Sequence, residues 1–231
     1  MATRKLGDAP VPDGNLDAYR RLREGITSGR FQPSERLVEA DLTRFLGAGR
    51  TAVRAALVRL DQEGLVTREL NRGARVRLVS DREALEIEEA RSALERLLAR
   101  QAAIKATPAQ VRQLKQILAE MRRRLAAGDS VGYSELNPGF HQLIWASAQN
   151  ATASRLVLNL KSQSLRFQFH TMLRPGRPQR SLHEHETIFN AIAAHEPDAA
   201  EAAMREHLEE VVENLRWAIN HQERSPRWLS S

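Results

Sequence analysis

Three histidines have the surroundings expected of metal ligands. His185 and His207 each recur with apolar residues at helical spacing, so both rings are expected to point into a core, and His141 follows Phe140 in a third helical stretch. Neutral imidazoles from different helices can converge on one divalent metal ion. A lone inward histidine is more often a hydrogen-bonded core residue, so spacing alone leaves both interpretations open.

A second set of residues could read nucleic acid. Arg50, Thr51 and Arg54 lie at the amino-terminal end of the stretch 49–66, and the first acid after Arg50 is Asp61. Arginine can form a pair of hydrogen bonds to guanine. The apolar residues of the same stretch recur at helical spacing and form a stripe that leaves these polar side chains outside: Val53, Ala56, Leu57 and Leu60. An ordinary solvated surface helix is the alternative.

Composition and charge narrow the class of protein. The 231 residues are 42% hydrophobic, enough for two compact domains, and contain no cysteine, which excludes disulfides and thiolate metal sites. Residues 1–78 carry 15 Lys and Arg against 10 Asp and Glu, and therefore hold five of the six net positive charges. Such a surplus favours a polyanion as partner. No apolar run is long enough to cross a membrane, so we expect a cytoplasmic protein without membrane contact.

The first third has the order of elements of a winged helix-turn-helix. Residues 1–14 lack periodicity and are predicted to be a flexible leader. Helices are predicted from Leu16 to about Ser28, from Val38 to Leu46, and from Thr51 onward, with a glycine-containing turn before the last. Alternating residues on either side of the turn 71–73 predict a small β-hairpin wing. We therefore expect a DNA-binding domain over residues 15–79.

The remainder is predicted to be all helical. Long helical patterns with few turn residues run through residues 80–222 and predict a bundle of about six helices, with a flexible tail at 223–231. The expected fold class is therefore mainly α, an amino-terminal winged helix-turn-helix with a small β-hairpin wing followed by an all-α bundle.

The amino-terminal third resembles a known family. The stretch ERLVEADLTRFLGAGRTAVRAALVRLDQEGLV, followed by RGARV, is similar to the winged helix of GntR-family bacterial transcription regulators. Ala52 and Ala55 depart from the Pro and Glu of the usual motif. By this resemblance the positions that meet DNA are Arg36, Arg50, Thr51, Arg54 and Gly73, to which we add Arg72 beside the wing glycine.

The bundle resembles the ligand-binding FCD domain of the FadR subfamily, on RSALERLLARQAA, LNPGFHQLIWASAQN and SLHEHETIFNAIAAHEPDAAEAAMREHL. In many members an Asp and three His bind zinc, nickel or a similar ion, and a small carboxylate effector completes the coordination. The matching positions are Asn137, His141, His185 and His207. Asn137 replaces the usual Asp and lowers the expected affinity for metal. By the same resemblance Arg91 is a candidate to hold the effector or brace the site, and Arg166 is a second candidate. A surface salt bridge is the alternative for each.

Together these patterns predict a sequence-specific transcription regulator. The resemblance to the family implies a repressor that acts as a homodimer on a pseudo-palindromic double-stranded operator. A small carboxylate bound at a zinc or nickel site is expected to modulate operator binding. Two alternatives are a metal-dependent enzyme that uses the histidine cluster and a DNA-binding dimer that responds to no effector. No motif marks a general base for the enzyme, and an enzyme needs no DNA-reading domain.

Overall fold

The chain folds into two compact units, residues 1–78 and 79–231. The structure, a computed structural model, describes residues 14–69, 73–163, 174 and 176–221. The predicted tail, and the predicted leader apart from Gly14, lie outside these residues. No helix within the described ranges combines the length and the apolar character that a membrane span requires.

The described part of the first unit contains three helices: α1 (Gly14–Thr27), α2 (Glu39–Leu46) and α3 (Arg50–Gln62). Helix α2 ends at Gly47, whose positive φ of 63° supplies the left-handed turn into α3. The stripe predicted from spacing faces inward, since Val53 and Leu60 are 0% exposed. These helices share one apolar core with the sheet of the unit.

The sheet has three strands where the sequence predicted a two-stranded hairpin. Strands β2 (Val66–Glu69) and β3 (Gly73–Val76) form the expected antiparallel pair, and a further strand, β1 (Arg36–Leu37), pairs with the other edge of β3. Spacing could not reveal β1, because two residues show no periodicity and their partner lies almost 40 positions along the chain. The sheet order is β1-β3-β2.

The described part of the second unit contains six helices. They are α4 (Asp81–Lys105), α5 (Pro108–Ala126), α6 (Ser130–Ser147), α7 (Ala151–Gln163), α8 (Arg177–Ala193) and α9 (Pro197–His221). The helix predicted to run from Ala151 to Met172 is described as far as Gln163, and its remainder lies outside the described residues.

Local sequence explains where several of these helices begin. The Ser80 hydroxyl caps α4 by accepting from the Glu83 amide, and Thr107 and Gln110 form a reciprocal capping box ahead of α5. Helix α4 packs against α6, α7, α8 and α9, so it runs through the middle of the unit. The main core is built from the inward faces of these helices and includes the fully buried Phe140, Ile144 and Ile188.

Candidate functional site

Three histidine side chains from three helices meet inside the second unit. His141 on α6, His185 on α8 and His207 on α9 are buried, and each offers one nitrogen within 4.8 Å of the other two. Their ring centroids are 4.8 to 5.3 Å apart. Among the residues that the structure describes, no carboxylate belongs to this cluster. Buried imidazoles gathered in this way are typical ligands of zinc and related ions.

Neighbouring side chains orient two of the rings. The Nδ1 of His207 lies 2.7 Å from Oε2 of Glu184, and the Nδ1 of His185 lies 3.4 Å from the Tyr133 hydroxyl, a long contact. Because each Nδ1 has a neighbour, the Nε2 of each ring is left for another ligand. The Nε2 of His185 is buried and has no hydrogen-bond partner in the described part of the chain.

A buried ion network on α4 flanks the third ring. Arg91 donates to Glu88 at 2.6 and 2.7 Å and to Oε1 of Glu95 at 2.7 and 3.2 Å. The other oxygen of Glu95, Oε2, accepts from Trp145 Nε1 at 3.2 Å and lies 3.2 Å from Nδ1 of His141. The contact with His141 is close enough for an ion pair, but its angle does not meet hydrogen-bond geometry, so its effect is mainly electrostatic.

A second arginine braces the carboxylate beside His207. Arg177, 4% exposed, donates from Nη1 and Nη2 to the two oxygens of Glu184 at 2.6 and 2.8 Å. This two-pronged geometry fixes the carboxylate in position. The cluster therefore has an Arg–Glu–His arrangement on two sides, one built from α4 and α6 and the other from α8 and α9.

Burial governs the protonation of the cluster. It lowers the pKa of His141 to about 4 against the opposing effect of Glu95, and it lowers the pKa of His185 well below its ordinary value, with His207 acting in the same direction. Burial alone would raise the pKa of Glu95 and of Glu184, but Arg91 lowers the pKa of Glu95 overall, and hydrogen bonds with His207 and Arg177 lower that of Glu184. His141 and His185 are therefore neutral near pH 7, which is the form that binds metal.

A buried lysine from α7 completes the surroundings. The Nζ of Lys161 lies 5.5 Å from the centroid of the Trp145 ring, and the side chain is 9% exposed. Burial lowers the pKa of Lys161 to about 8, with a further lowering by Arg91. The charge of Lys161 also acts on His141 and His185.

Asn137 lies one helical turn before His141 on α6, so both residues are on the same side of the helix. Its Oδ1 is buried and accepts no hydrogen bond from the residues that the structure describes. The next residue, Pro138, lies inside the helix and removes one backbone hydrogen bond from α6 at this point. An amide oxygen without a described partner, one helical turn from a histidine of the cluster, has the chemistry of a further metal ligand.

The first unit presents a basic surface at the start of α3. Arg50, Thr51 and Arg54 are exposed there, on the side opposite the buried stripe. The Nε of Arg54 donates to Oε2 of Glu39 on α2 at 2.7 Å, while the arginine side chain remains 64% exposed. Glu39 therefore orients Arg54 without burying it.

Two of the residues predicted to meet DNA lie in the three-stranded sheet. Arg36 is exposed on β1 opposite Arg75 of β3. Gly73 begins β3 with a φ of +90°, and a Cβ added there would collide with the carbonyl oxygen of Leu37. Only glycine fits this close approach without strain. Arg72 lies outside the described residues.

The structure brings the three predicted histidines together, and Asn137 lies one turn before His141 on α6. Arg91 forms salt bridges with Glu88 and Glu95. The spacing of Arg91 from both glutamates, three and four positions on one helix, was visible in the sequence as a possible ion network. Arg166, the other residue expected to hold an effector, lies outside the described residues.

Four neighbours of the predicted site residues were missed from sequence: Glu39, Glu95, Lys161 and Glu184. Glu39 and Glu95 act on residues 15 and 46 positions away, and Lys161 comes from another helix, so no local pattern signals them. Glu184 directly precedes His185, yet it serves His207 across the helix interface.

Both halves of the chain match family models. Residues 15–76 match the model described as bacterial regulatory proteins, gntR family, and residues 86–210 match the FCD domain. An uncharacterised HTH-type transcriptional regulator YdfH of Escherichia coli is 31% identical over 207 residues, which cover 90% of this chain and 91% of that protein. The HTH-type transcriptional repressor RspR of Escherichia coli is 30% identical over the same length and coverage.

Solved structures share the architecture. A transcriptional regulator from a Rhodococcus species, described as a GntR protein, superimposes with a TM-score of 0.65 at 27% identity, covering 88% of this chain and 98% of that one. Escherichia coli McbR/YncC gives a TM-score of 0.75 at 19% identity, covering 90% and 99%, which shows a common fold.

Proposed function

The chain belongs to the GntR family of bacterial transcription regulators, with an FCD domain and no enzymatic role, and from this premise we propose a homodimeric repressor of the FadR subfamily that senses a small carboxylate at a metal centre. The convergence of three buried histidines carries the sensing part of this proposal. The exposed arginines at the start of α3 carry the operator-binding part.

In the proposed complex the amino-terminal end of α3 enters the major groove. Arg50 and Arg54 reach base edges, where a guanidinium can pair with guanine, and Thr51 contacts the same region. The wing approaches the DNA through Arg36, Arg72 and Gly73, with the glycine permitting close contact of the backbone. Two such units on a homodimer match a pseudo-palindromic operator.

Substitution of Arg54 tests this interface. With a duplex selected by the protein from a random pool, Arg54→Ala should cost about 1 to 3 kcal/mol of discrimination between the selected and scrambled sequences. Arg82→Ala is the matched control, because Arg82 is a highly exposed arginine of α4. Unchanged discrimination in the Arg54 variant would remove this residue from the interface.

The proposed metal centre is held by His141, His185 and His207, with the amide oxygen of Asn137 as a further ligand. Two observations support the fit: the Nε2 of His185 and the Oδ1 of Asn137 are both buried without hydrogen-bond partners in the described structure. Glu184, beside His207 Nδ1, orients that ring, as second-layer carboxylates do in metal sites. A zinc or nickel ion would supply a fixed positive charge to which a carboxylate can bind.

Lys161 supports a carboxylate as the effector, because its charge reaches two of the three histidines. Arg91 contributes less directly, since its guanidinium is occupied by Glu88 and Glu95. We therefore propose that Arg91 supports the metal centre through Glu95. Arg166 remains the residue predicted to bind the effector.

Native mass spectrometry of the purified protein tests the sensing part. A dimer with one divalent ion per chain is the expected spectrum, and His185→Ala should lose that ion while His183→Ala, on the exposed side of the same helix, should keep it. A metal-free wild-type dimer would count against the metal centre. Operator binding that no carboxylate alters would favour an effector-independent DNA-binding dimer instead.

A further inference from the structure

We propose that Glu39 is a specificity-determining residue of the DNA-binding unit, which positions Arg54 to read guanine and restrains it from binding phosphate. The inference rests on the proposed contact between Arg54 and the operator, and adds to it a partner that decides how the contact is used. It follows from the ion pair that joins α2 to the exposed face of α3.

The ion pair occupies one particular edge of the Arg54 guanidinium. The Nε of Arg54 donates to Oε2 of Glu39 at 2.7 Å, and Nη1 and Nη2 have no partner among the residues that the structure describes. An arginine carries five N–H donors in one plane, one on Nε and two on each Nη. The bond from Nε therefore leaves the outer edge, formed by Nη1 and Nη2, as a ready pair of donors.

This outer edge matches guanine. In the major groove guanine presents two acceptors, O6 and N7, whereas adenine presents the acceptor N7 beside the donor N6. Two parallel N–H groups satisfy both acceptors of guanine, but one of them would meet a donor on adenine. Because Glu39 already fixes the plane of the guanidinium, less side-chain freedom is lost when Arg54 meets its base.

The charge of Glu39 acts against binding that ignores sequence. Attraction to phosphate depends on positive charge and is similar for every DNA sequence. The carboxylate of Glu39 offsets the charge of Arg54 at close range. Arg50, one turn earlier on α3, has no such partner in the described part of the chain, so the restraint is particular to Arg54.

The same ion pair contributes little to the stability of the fold. The side chain of Arg54 is 64% exposed and that of Glu39 is 29% exposed. Ion pairs between solvated side chains add little to the free energy of unfolding. A change at Glu39 should therefore act on DNA recognition and leave the Tm of the protein close to that of wild type.

Competition binding with the full chain tests this role, using the duplex that the protein selects and a scrambled duplex. Glu39→Ala should reduce the preference for the selected duplex about 3- to 10-fold, since Arg54 must then be ordered on binding. It should also raise the affinity for the scrambled duplex about twofold or more, because a negative charge is lost. Glu39→Gln keeps an oxygen that can accept from Nε, so it should raise the affinity for the scrambled duplex in the same way but keep most of the preference.

Asp41→Ala is the matched control, because Asp41 lies in the same first turn of α2 and pairs with Arg44. It removes the same charge and should keep the wild-type preference; an equal loss there would assign the effect to charge and overturn the positioning role. In an Arg54→Ala background, Glu39→Ala should change the preference no further. Wild-type preference in Glu39→Ala, with preference lost in Arg54→Ala, would overturn this inference and leave the Arg54 contact standing. Wild-type preference in Arg54→Ala would overturn the contact itself.

Discussion

Acidification should destabilise the metal-free second unit through its buried histidines. The pKa of His141 is about 4 in the folded chain, whereas an exposed histidine has a pKa near 6.5. Between these values the unfolded chain binds a proton that the folded chain does not, so acid favours unfolding. The stabilising contribution is complete above pH 6.5 and is lost as the pH falls towards 4.

The magnitude follows from the size of the shift. One proton taken up on unfolding changes the free energy of unfolding by about 1.4 kcal/mol per pH unit, so His141 alone accounts for about 2 kcal/mol between pH 6.5 and 5. His141 is 3% exposed, and solvent screening therefore reduces this figure little. His185 is shifted in the same direction and adds to the loss.

Urea unfolding of the chelator-treated protein, followed by helical circular dichroism at several pH values, measures this loss. His141→Gln should flatten the dependence on pH, because one of the linked protons is removed. His183→Gln, at an exposed position of α8, should keep the wild-type dependence. A free energy of unfolding that is constant from pH 6.5 to 5 would refute the assignment of buried neutral histidines.

Three further substitutions address packing and support of the two sites. Gly73→Ala should destabilise the first unit by about 1 to 3 kcal/mol, because Gly73 has a positive φ and an added Cβ would collide with the backbone. The control is Gly139→Ala, which should cause no loss of stability because an added Cβ there meets no atom within 4 Å. Thermal unfolding compares the two variants. Ile144→Ala should cost about 2 to 5 kcal/mol in urea unfolding, and Leu156→Ala, at a 45% exposed position, much less. Glu184→Gln should lower Zn²⁺ affinity about 10- to 100-fold by calorimetry, and unchanged affinity would remove this residue from support of the centre.

Local patterns in the sequence predicted the structural features that are set by residues close together in the chain, such as helices and their buried faces. The spacing of Val53, Leu57 and Leu60 predicted both helix α3 and its buried face, since a helix repeats over a few positions. The same periodicity predicted that the side chains of His185 and His207 point into the core. Strand β1 was not predicted, because its partners on β3 are distant in sequence and its two residues show no periodic pattern.

The polar supports of the candidate centre were harder to predict than its ligands. Glu95 reaches His141 from another helix, and Glu184 serves His207 although it directly precedes a different histidine. Which carboxylate accompanies which ring depends on how the helices are packed. Only the ion network of Arg91 was within reach of sequence reasoning, because its partners lie on the same helix.

The short strand β1 limits how the DNA-binding unit can be engineered or evolve. Arg36 and Leu37 tie the wing strand β3 to the segment between α1 and α2, so the wing is held from both sides and not only through its own turn. A change in the length of the segment before α2 would therefore shift the wing as well as the helix. If Arg50 and Arg54 read the operator as proposed, exchanging these side chains would alter operator preference and leave the three-stranded sheet intact.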